Sequence, residues 1–437
     1  MRIAGTDFSY GAFALLVVHA ARGCRQAIQA LFLSWLFVSL NQEIIPPIGD
    51  VELIRMGILV AAGARAAMAA FNRGNPLATR GVIIPLVFFV GICLVNSMLA
   101  SQLPSLSVLK ALLFGLMAFA TIGIWARSGL LREWVEAWFF NALAVIALLS
   151  APLALIGMGY ERNDYGFQGI LNQPQGFGIM MALLTAWQLG KMLTRRLYSV
   201  LQVLLLTFFA ALLYMSASRT GMLAFMLGTL AAGAMGLFSS RPELRAVLTG
   251  IPPFLRLAAA ATLTILSIVF FQGLVQGVQQ VVFKGDAESS LAENFAGSRG
   301  ELIDASFENF KERPIFGKGF GIPSYFDEFA IRYDPIFGLP VSAPVEKGVL
   351  PVAVLEELGV VGGLFFLWLI YALLHRVARN SEYRMIGLLV CALAINLGEA
   401  VLFSAGGFGL LVWLVIGMAL APTTATGANA AVGRSTR

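Results

Sequence analysis

Long uninterrupted apolar runs, such as Gly81 to Ala100 and Tyr198 to Met215, constrain this chain more than any other feature. A bilayer core of roughly 30 Å is crossed by about 20 apolar residues in a helix. Inside lipid every backbone polar group must be bonded internally, so only helices or a closed barrel can span it. The runs lack the alternation of barrel strands. Composition agrees, with 58% hydrophobic and 12% charged residues, where a soluble domain carries about 25% charged. The expected fold class is all-α, a polytopic membrane protein with about 12 transmembrane helices. They fall at about 27–41, 52–71, 82–100, 107–126, 134–158, 173–190, 198–216, 221–238, 256–275, 358–374, 385–402 and 406–421. Residues 8–21 are apolar but short, with Arg22 and Arg25 close behind, and read as a surface or half-inserted helix. No cleavable signal peptide is expected.

Basic residues orient the bundle. Arg73 and Arg80, Arg127 and Arg132, the cluster Lys191, Arg195 and Arg196, then Arg241 and Arg245, and last Arg376, Arg379 and Arg384 all fall on one side under this helix count. That side is expected to be cytoplasmic, and it carries both termini. The Thr-, Ala- and Gly-rich tail 422–437 is expected to be disordered there. The expected organisation is an N-terminal membrane region 1–275, a large polar loop 276–357 and a C-terminal membrane region 358–421. Residues 276–348 carry seven basic and eleven acidic side chains, a net −4. The overall +6 is thus a topology signal and does not indicate nucleic acid. Cys24, Cys93 and Cys391 lie far apart in apolar surroundings, and the only histidines are His19 and His375. No metal-ligand spacing exists, and no metal or cofactor is expected.

The large loop carries helix signals. Ser298-Arg-Gly-Glu301 has capping-box spacing, Leu302, Ile303, Phe307 and Phe310 share one helical face, and Pro314 ends the helix before Gly317, Gly319 and Gly321. This helix is expected to lie over the membrane region and roof a cavity. The shorter loop Gly159–Gln175 carries Arg162 and Asn172.

Charges that topology leaves unexplained mark the candidate site. Arg219, in Ser216-Ala-Ser-Arg-Thr-Gly, stands between two helices on the side where arginine is disfavoured. Lys110 and Arg55 fall near the outer ends of their helices. Arg299 is expected in the first turn of the loop helix, where a cation opposes the helix dipole. Glu346-Lys347 precede Glu356-Glu357, which abut an apolar run. Cations gathered at an outward site suit an anion, and arginine suits phosphate through its two parallel donors. An anion reached from the outer leaflet suggests a lipid-linked pyrophosphate.

On these motifs the chain resembles the O-antigen ligase and polymerase superfamily of bacterial membrane glycosyltransferases. Ser216–Gly221, the run Gly297-Ser-Arg-Gly through Pro314-Ile-Phe-Gly-Lys-Gly-Phe-Gly, and Leu355-Glu-Glu-Leu-Gly-Val-Val-Gly carry the resemblance, with Leu171-Asn-Gln-Pro-Gln-Gly-Phe-Gly as a fourth segment. It implies a C-type enzyme that uses undecaprenyl-pyrophosphate-linked sugars at the periplasmic face of the cytoplasmic (inner) membrane. The ligase histidine of the family, eleven residues before the first glycine of GxxG, falls on Gly348 here. That departure favours a polymerase of O-antigen or exopolysaccharide repeat units over a ligase. Arg219, Arg299 and Glu346 are the expected catalytic residues. Lys347, Arg162, Asn172, Lys110 and Arg55 are the expected substrate contacts. Expected partners are the lipid-linked donor and acceptor glycans, the bilayer, and separate chain-length and flippase proteins. Transfer of finished glycan to another acceptor, and lipid-linked saccharide flipping or transport, are the alternatives. The absence of an internal repeat weighs against a transporter.

Overall fold

The computed structural model describes residues 6–46, 48–71, 77–124, 129–160, 166–195, 198–238, 291–324, 332–333, 338, 340–342, 347–380 and 383–421. Among these residues the chain forms thirteen α-helices. They are α1 (Thr6–Arg22), α2 (Cys24–Ser39), α3 (Glu52–Phe71), α4 (Leu77–Leu99), α5 (Pro104–Gly123), α6 (Gly129–Ser150), α7 (Pro174–Arg195), α8 (Val200–Met215), α9 (Arg219–Phe238), α10 (Leu291–Glu312), α11 (Leu350–Asn380), α12 (Tyr383–Ala394) and α13 (Phe408–Leu420). Seven of them are long and apolar enough to cross a membrane, and α1, α8, α12 and α13 are shorter apolar helices. The protein is a polytopic all-α membrane protein. Its one sheet among the described residues is a short antiparallel pair, β1 (Arg332–Tyr333) and β2 (Pro340–Ser342), in the large loop.

Eleven of the expected spans coincide with described helices, and 256–275 lies outside the described residues. Two spans differ in extent. α11 begins at Leu350 and is interrupted at Gly359, whose φ of 64° and ψ of −166° are not helical. α12 gives way to a short 3-10 turn at Ile395–Leu397. The chain from Gly398 to Gly407 is then irregular.

The first helix, expected to be a surface or half-inserted helix, is α1, one of the shorter apolar helices. α1 lies along α2 and α3 and buries Phe13, Leu16 and Ala20. Gly23 alone separates α1 from α2, so the two form a tight helical hairpin. Tyr10 packs against Gly49 of the α2–α3 connection. The N-terminal end of α1 therefore stands at the opposite end of the bundle from Gly23.

Apolar surface gains little by leaving lipid for another helix, so close packing and small residues decide how such helices meet. α9 and α12 cross at Gly228 and Gly387, where a Cβ on Gly228 would stand 2.5 Å from the Gly387 carbonyl oxygen. α7 and α13 form the centre of the bundle and are buried along most of their length. Leu99, Leu155, Val200, Tyr214 and Phe238 face outward as lipid-exposed side chains.

Three of the basic clusters gather at one end. Arg384 pairs with Glu136 at 2.6 Å, and Trp187 Nε1 donates to the same carboxylate oxygen at 2.6 Å. Lys191 lies over the Trp187 ring at 4.7 Å, and Arg132 donates to the Ala421 carbonyl at 3.1 Å. Three of the five basic clusters thus share one end, as the helix count requires.

Candidate active site

At the other end of the bundle, a glycine-rich turn and a broken helix hold each other in place. The turn is Pro314–Gly321, directly after α10, and the break is in α11 at Gly359. A helix break frees carbonyls before it and N–H groups after it, and each needs a partner when buried. The turn supplies them. Lys318 and Gly319 N–H groups donate to the Glu356 and Glu357 carbonyls, each at 2.9 Å. Val360 N–H donates to Pro314 at 2.8 Å, and Val361 N–H to Ile315 at 3.3 Å. The backbones meet so closely that side chains are excluded. A Cβ on Gly317 would stand 2.4 Å from the Glu357 carbonyl carbon, and one on Gly359 would stand 2.3 Å from the Ile315 oxygen. Gly317, Gly319, Gly321 and Gly359 all have positive φ, which only glycine adopts without strain.

The turn is also pinned to α4 and α5. Asn96 donates to the Phe316 carbonyl, Ser107 to Phe320 at 2.7 Å, and Lys110 Nζ to Gly321 at 2.8 Å. Arg313 donates to Ala100 at 2.8 Å. The Gly321 N–H donates to Glu357 Oε2 at 2.8 Å. One peptide segment thus links a lysine of α5 to a carboxylate of α11.

Lys347 and Glu356 form a buried ion pair at 2.6 Å, with both side chains at most 4% exposed. Asn309 of α10 donates to Glu356 at 2.7 Å, and Ser324 donates at 3.0 Å. Ser306 lies 3.3 Å from the Ser324 hydroxyl. α10 is therefore docked by its polar residues Ser306 and Asn309, while Phe307 points outward. Of the expected apolar face, Leu302, Ile303 and Phe310 are half-buried beside them, and Phe307 is exposed. The helix also begins at Leu291, so Ser298–Glu301 sit inside it and not at its start. Arg299 is not in its first turn, and the dipole argument for that residue lapses. At the exposed end of α10, Lys318 bonds Glu312 at 2.9 Å and holds that carboxyl below the ordinary range.

These elements enclose a cavity of about 370 Å³ between α2, α3, α5, α11 and the 398–407 connection. Among the described residues the turn contributes Phe320 and Gly321 to its wall, and α10, expected to roof it, contributes none. Arg55, Lys110, Lys347, Glu52 and Glu357 bring charge to its wall. Arg55 donates to the Gly406 carbonyl. Phe320 and Phe403 add aromatic faces, with centroids 5.1 Å apart. Such a mixture of paired charge and aromatic surface can hold a polar ligand of small-molecule size.

Three expected contacts, Arg55, Lys110 and Lys347, meet in this cavity. Lys347 is committed to Glu356 rather than held ready for phosphate. Arg219 is exposed at the first residue of α9 and lies outside the cavity wall. It is not remote. Its neighbour Thr220 packs against Gly398, and the same connection lines the cavity through Ala400, Ser404 and Gly406. Asn172 is half-buried, and its N–H donates to the Ser39 carbonyl at 2.8 Å beside the Leu40–Leu171 bridge, away from the cavity wall. Glu346 and Arg162 lie outside the described residues, as does the side chain of Arg299. Glu52 is a cavity residue that the sequence reading did not name, and Glu357, named there beside Glu356, was given no catalytic or binding role. The Glu-Glu pair ahead of an apolar run was the available signal for Glu357. Among the described residues, no three His, Cys, Asp or Glu side chains gather around a position for one metal ion.

No curated protein matches the chain. Residues 203–367 match the family model described as O-antigen ligase (Wzy_C), a stretch that runs from α8 through the glycine turn and past the break in α11. Arg219, Arg299, Glu346, Lys347 and both carboxylates lie inside the match, whereas Arg55, Lys110 and the 398–407 connection complete the cavity from outside it. Over residues 203–367 this membrane protein is thus similar to the O-antigen ligase family.

Proposed function

We propose that the protein polymerises undecaprenyl-pyrophosphate-linked oligosaccharide repeat units of an O-antigen or exopolysaccharide, at the periplasmic face of the cytoplasmic membrane. The observation that carries this reading is the cavity at the end opposite the basic loops, built jointly by the segment similar to the O-antigen ligase family and the helices around it. With the basic end cytoplasmic, the cavity opens toward the periplasm. The proximity of Tyr10 to Gly49 supports a periplasmic N-terminal end for α1, where the sequence reading expected a cytoplasmic N-terminus, and the C-terminal end of α13 is cytoplasmic on this reading.

The growing chain on its lipid pyrophosphate is the donor, and a hydroxyl at the non-reducing end of the incoming repeat attacks its anomeric carbon. The bond from that carbon to phosphate breaks, and pyrophosphate leaves with the electron pair. Arg219 and Arg299 bind the leaving group and stabilise its charge, with Arg162 and Asn172 as further donor contacts. Arg55 and Lys110 contact the acceptor from the cavity wall, and Glu346 orients it. Holding two lipid-anchored substrates at one site supplies much of the rate through orientation. Chain length and substrate delivery fall to separate regulator and flippase proteins.

Transfer of finished glycan to a different acceptor is the second reading, favoured by the description of the matched family. Glycine at position 348, where ligases carry histidine, weighs against it. Purified protein in liposomes, given lipid-linked repeats alone, is expected to produce a ladder of regularly spaced products that Arg219→Ala abolishes. Folded protein that extends nothing, with competent substrate, would sink the polymerase reading in favour of a ligase or a flippase.

A further inference from the structure

Glu356 and Glu357 are adjacent and both buried, but their surroundings differ. Glu356 is fully engaged, with Lys347 and Ser324 donating to one oxygen and Asn309 to the other. Among the described residues, Glu357 receives only the Gly321 N–H on Oε2 at 2.8 Å, and its Oε1 faces Lys347 across 3.8 Å. That ammonium is drawn 2.6 Å from Glu356 instead. An ionised carboxylate offers about four acceptor positions, and a buried one is stable only when they are filled. Of the two carboxylates, Glu357 lines the cavity and Glu356 does not. The carboxylate with spare acceptor capacity is thus the one on the cavity wall.

A ligand that donates hydroxyl hydrogens would fill that capacity. The rest of the wall suits the same ligand. Phe320 and Phe403 offer apolar faces, and among the described residues the wall cations Arg55, Lys110 and Lys347 are countered by Glu52 and Glu357 on the wall and by Glu356, paired to Lys347 outside it. A site so nearly neutral is poorly suited to a bare phosphate. It is well suited to a sugar ring, which has C–H faces and a hydroxyl rim.

We infer that the cavity is the acceptor-sugar site and that Glu357 takes the proton from the attacking hydroxyl. This rests on the transfer reaction proposed above. The hydroxyl oxygen bonds to the donor's anomeric carbon while its proton passes to Glu357. The anomeric carbon–phosphate oxygen bond breaks, and the electron pair leaves with pyrophosphate toward Arg219. The proton then passes from Glu357 to water as product withdraws. Glu346 keeps the role of orienting the acceptor. The 398–407 connection borders both the cavity and the start of α9, so the two halves of the reaction lie along one segment.

Two measurements on the full chain in liposomes test this. In the first, the repeat oligosaccharide, cleaved from the lipid-linked pool and free of pyrophosphate, is titrated calorimetrically. The wild type is expected to bind it. Ala353→Trp, which fills the cavity, is expected to abolish binding, and Arg219→Ala to leave it unchanged. No binding to the wild type, or binding that survives Ala353→Trp, would overturn the site. In the second, Glu357→Gln keeps an oxygen for the Gly321 N–H but cannot take a proton. Its kcat is expected to fall about 100- to 10,000-fold with acceptor KM within a few-fold of wild type, and Glu346→Gln to lose less. A Glu357→Gln enzyme within a few-fold of wild type, or one that loses only KM, removes the proton role. Should that variant fail to fold, Glu357→Asp, which retains the carboxylate, is expected to keep part of the rate that Glu357→Ala loses. If the wild type binds the sugar but builds no ladder, the polymerase reading falls and the saccharide site stands.

Discussion

Lys347 and Glu356 are each nearly sealed from solvent, so removing one leaves the other as an uncompensated buried charge. Such losses cost about 3–5 kcal/mol. Glu356→Gln is expected to lower the unfolding midpoint in detergent markedly, and pairing it with Lys347→Met to recover part of the loss. A midpoint equal to wild type for the single variant would mean that the pair is open to water in the membrane. Gly359 is a second sensitive residue, because its backbone angles and its contact with the Ile315 oxygen both forbid a side chain. Gly359→Ala is expected to cost at least about 1–3 kcal/mol and to loosen the glycine turn. Hydrogen exchange at residues 317–321 checks this, and unchanged exchange there would show that the break tolerates a Cβ.

The pairing of α10, the glycine turn and α11 belongs to the scale of elements. Ser306 and Asn309 dock α10 beside half-buried Leu302, Ile303 and Phe310, and Asn309 serves both Glu356 and Lys318. Asn309→Ala is expected to cost about 1–3 kcal/mol from the stranded buried partners. The loss should appear as faster proteolysis of residues 302–312 with no change in α4 or α5. Equal protection in the variant would assign the docking to the apolar residues first expected to do it. That expectation had a clear cause. Periodicity finds the face on which Leu302, Ile303, Phe307 and Phe310 lie, but polar side chains that bond across a gap leave no periodic trace. The end of α10 before Pro314 was legible because proline stops a helix wherever it falls. Its start was not, since Ser298-Arg-Gly-Glu301 has capping-box spacing whether or not a helix has already begun.

At the scale of the molecule, the separation of a basic end from a cavity end gives a topology that can be measured. Cys24, Cys93 and Cys391 are all buried, so single introduced cysteines report cleanly. Glu312→Cys is expected to react with an impermeant maleimide in intact spheroplasts, and Arg379→Cys only after permeabilisation. A tag placed before α1 should be reached from outside, because Tyr10 and Gly49 share the cavity end. A tag reached only after permeabilisation would mean that α1 returns without crossing.

The all-α polytopic class, eleven of the helical segments and the choice of Arg55, Lys110 and Lys347 as candidates were legible in the sequence alone. Apolar run length and the placing of arginine and lysine are local quantities that lipid reads one segment at a time. The course of α1, the break in α11, the commitment of Lys347 to Glu356 and the placing of Glu357 on a cavity wall were decided only by tertiary structure. Each depends on which groups from distant parts of the chain meet: Tyr10 with Gly49, Gly317 with Glu357, Gly321 with both Lys110 and Glu357. A buried carboxylate takes its character from the donors that reach it, and those donors are fixed by how the helices and turns pack together.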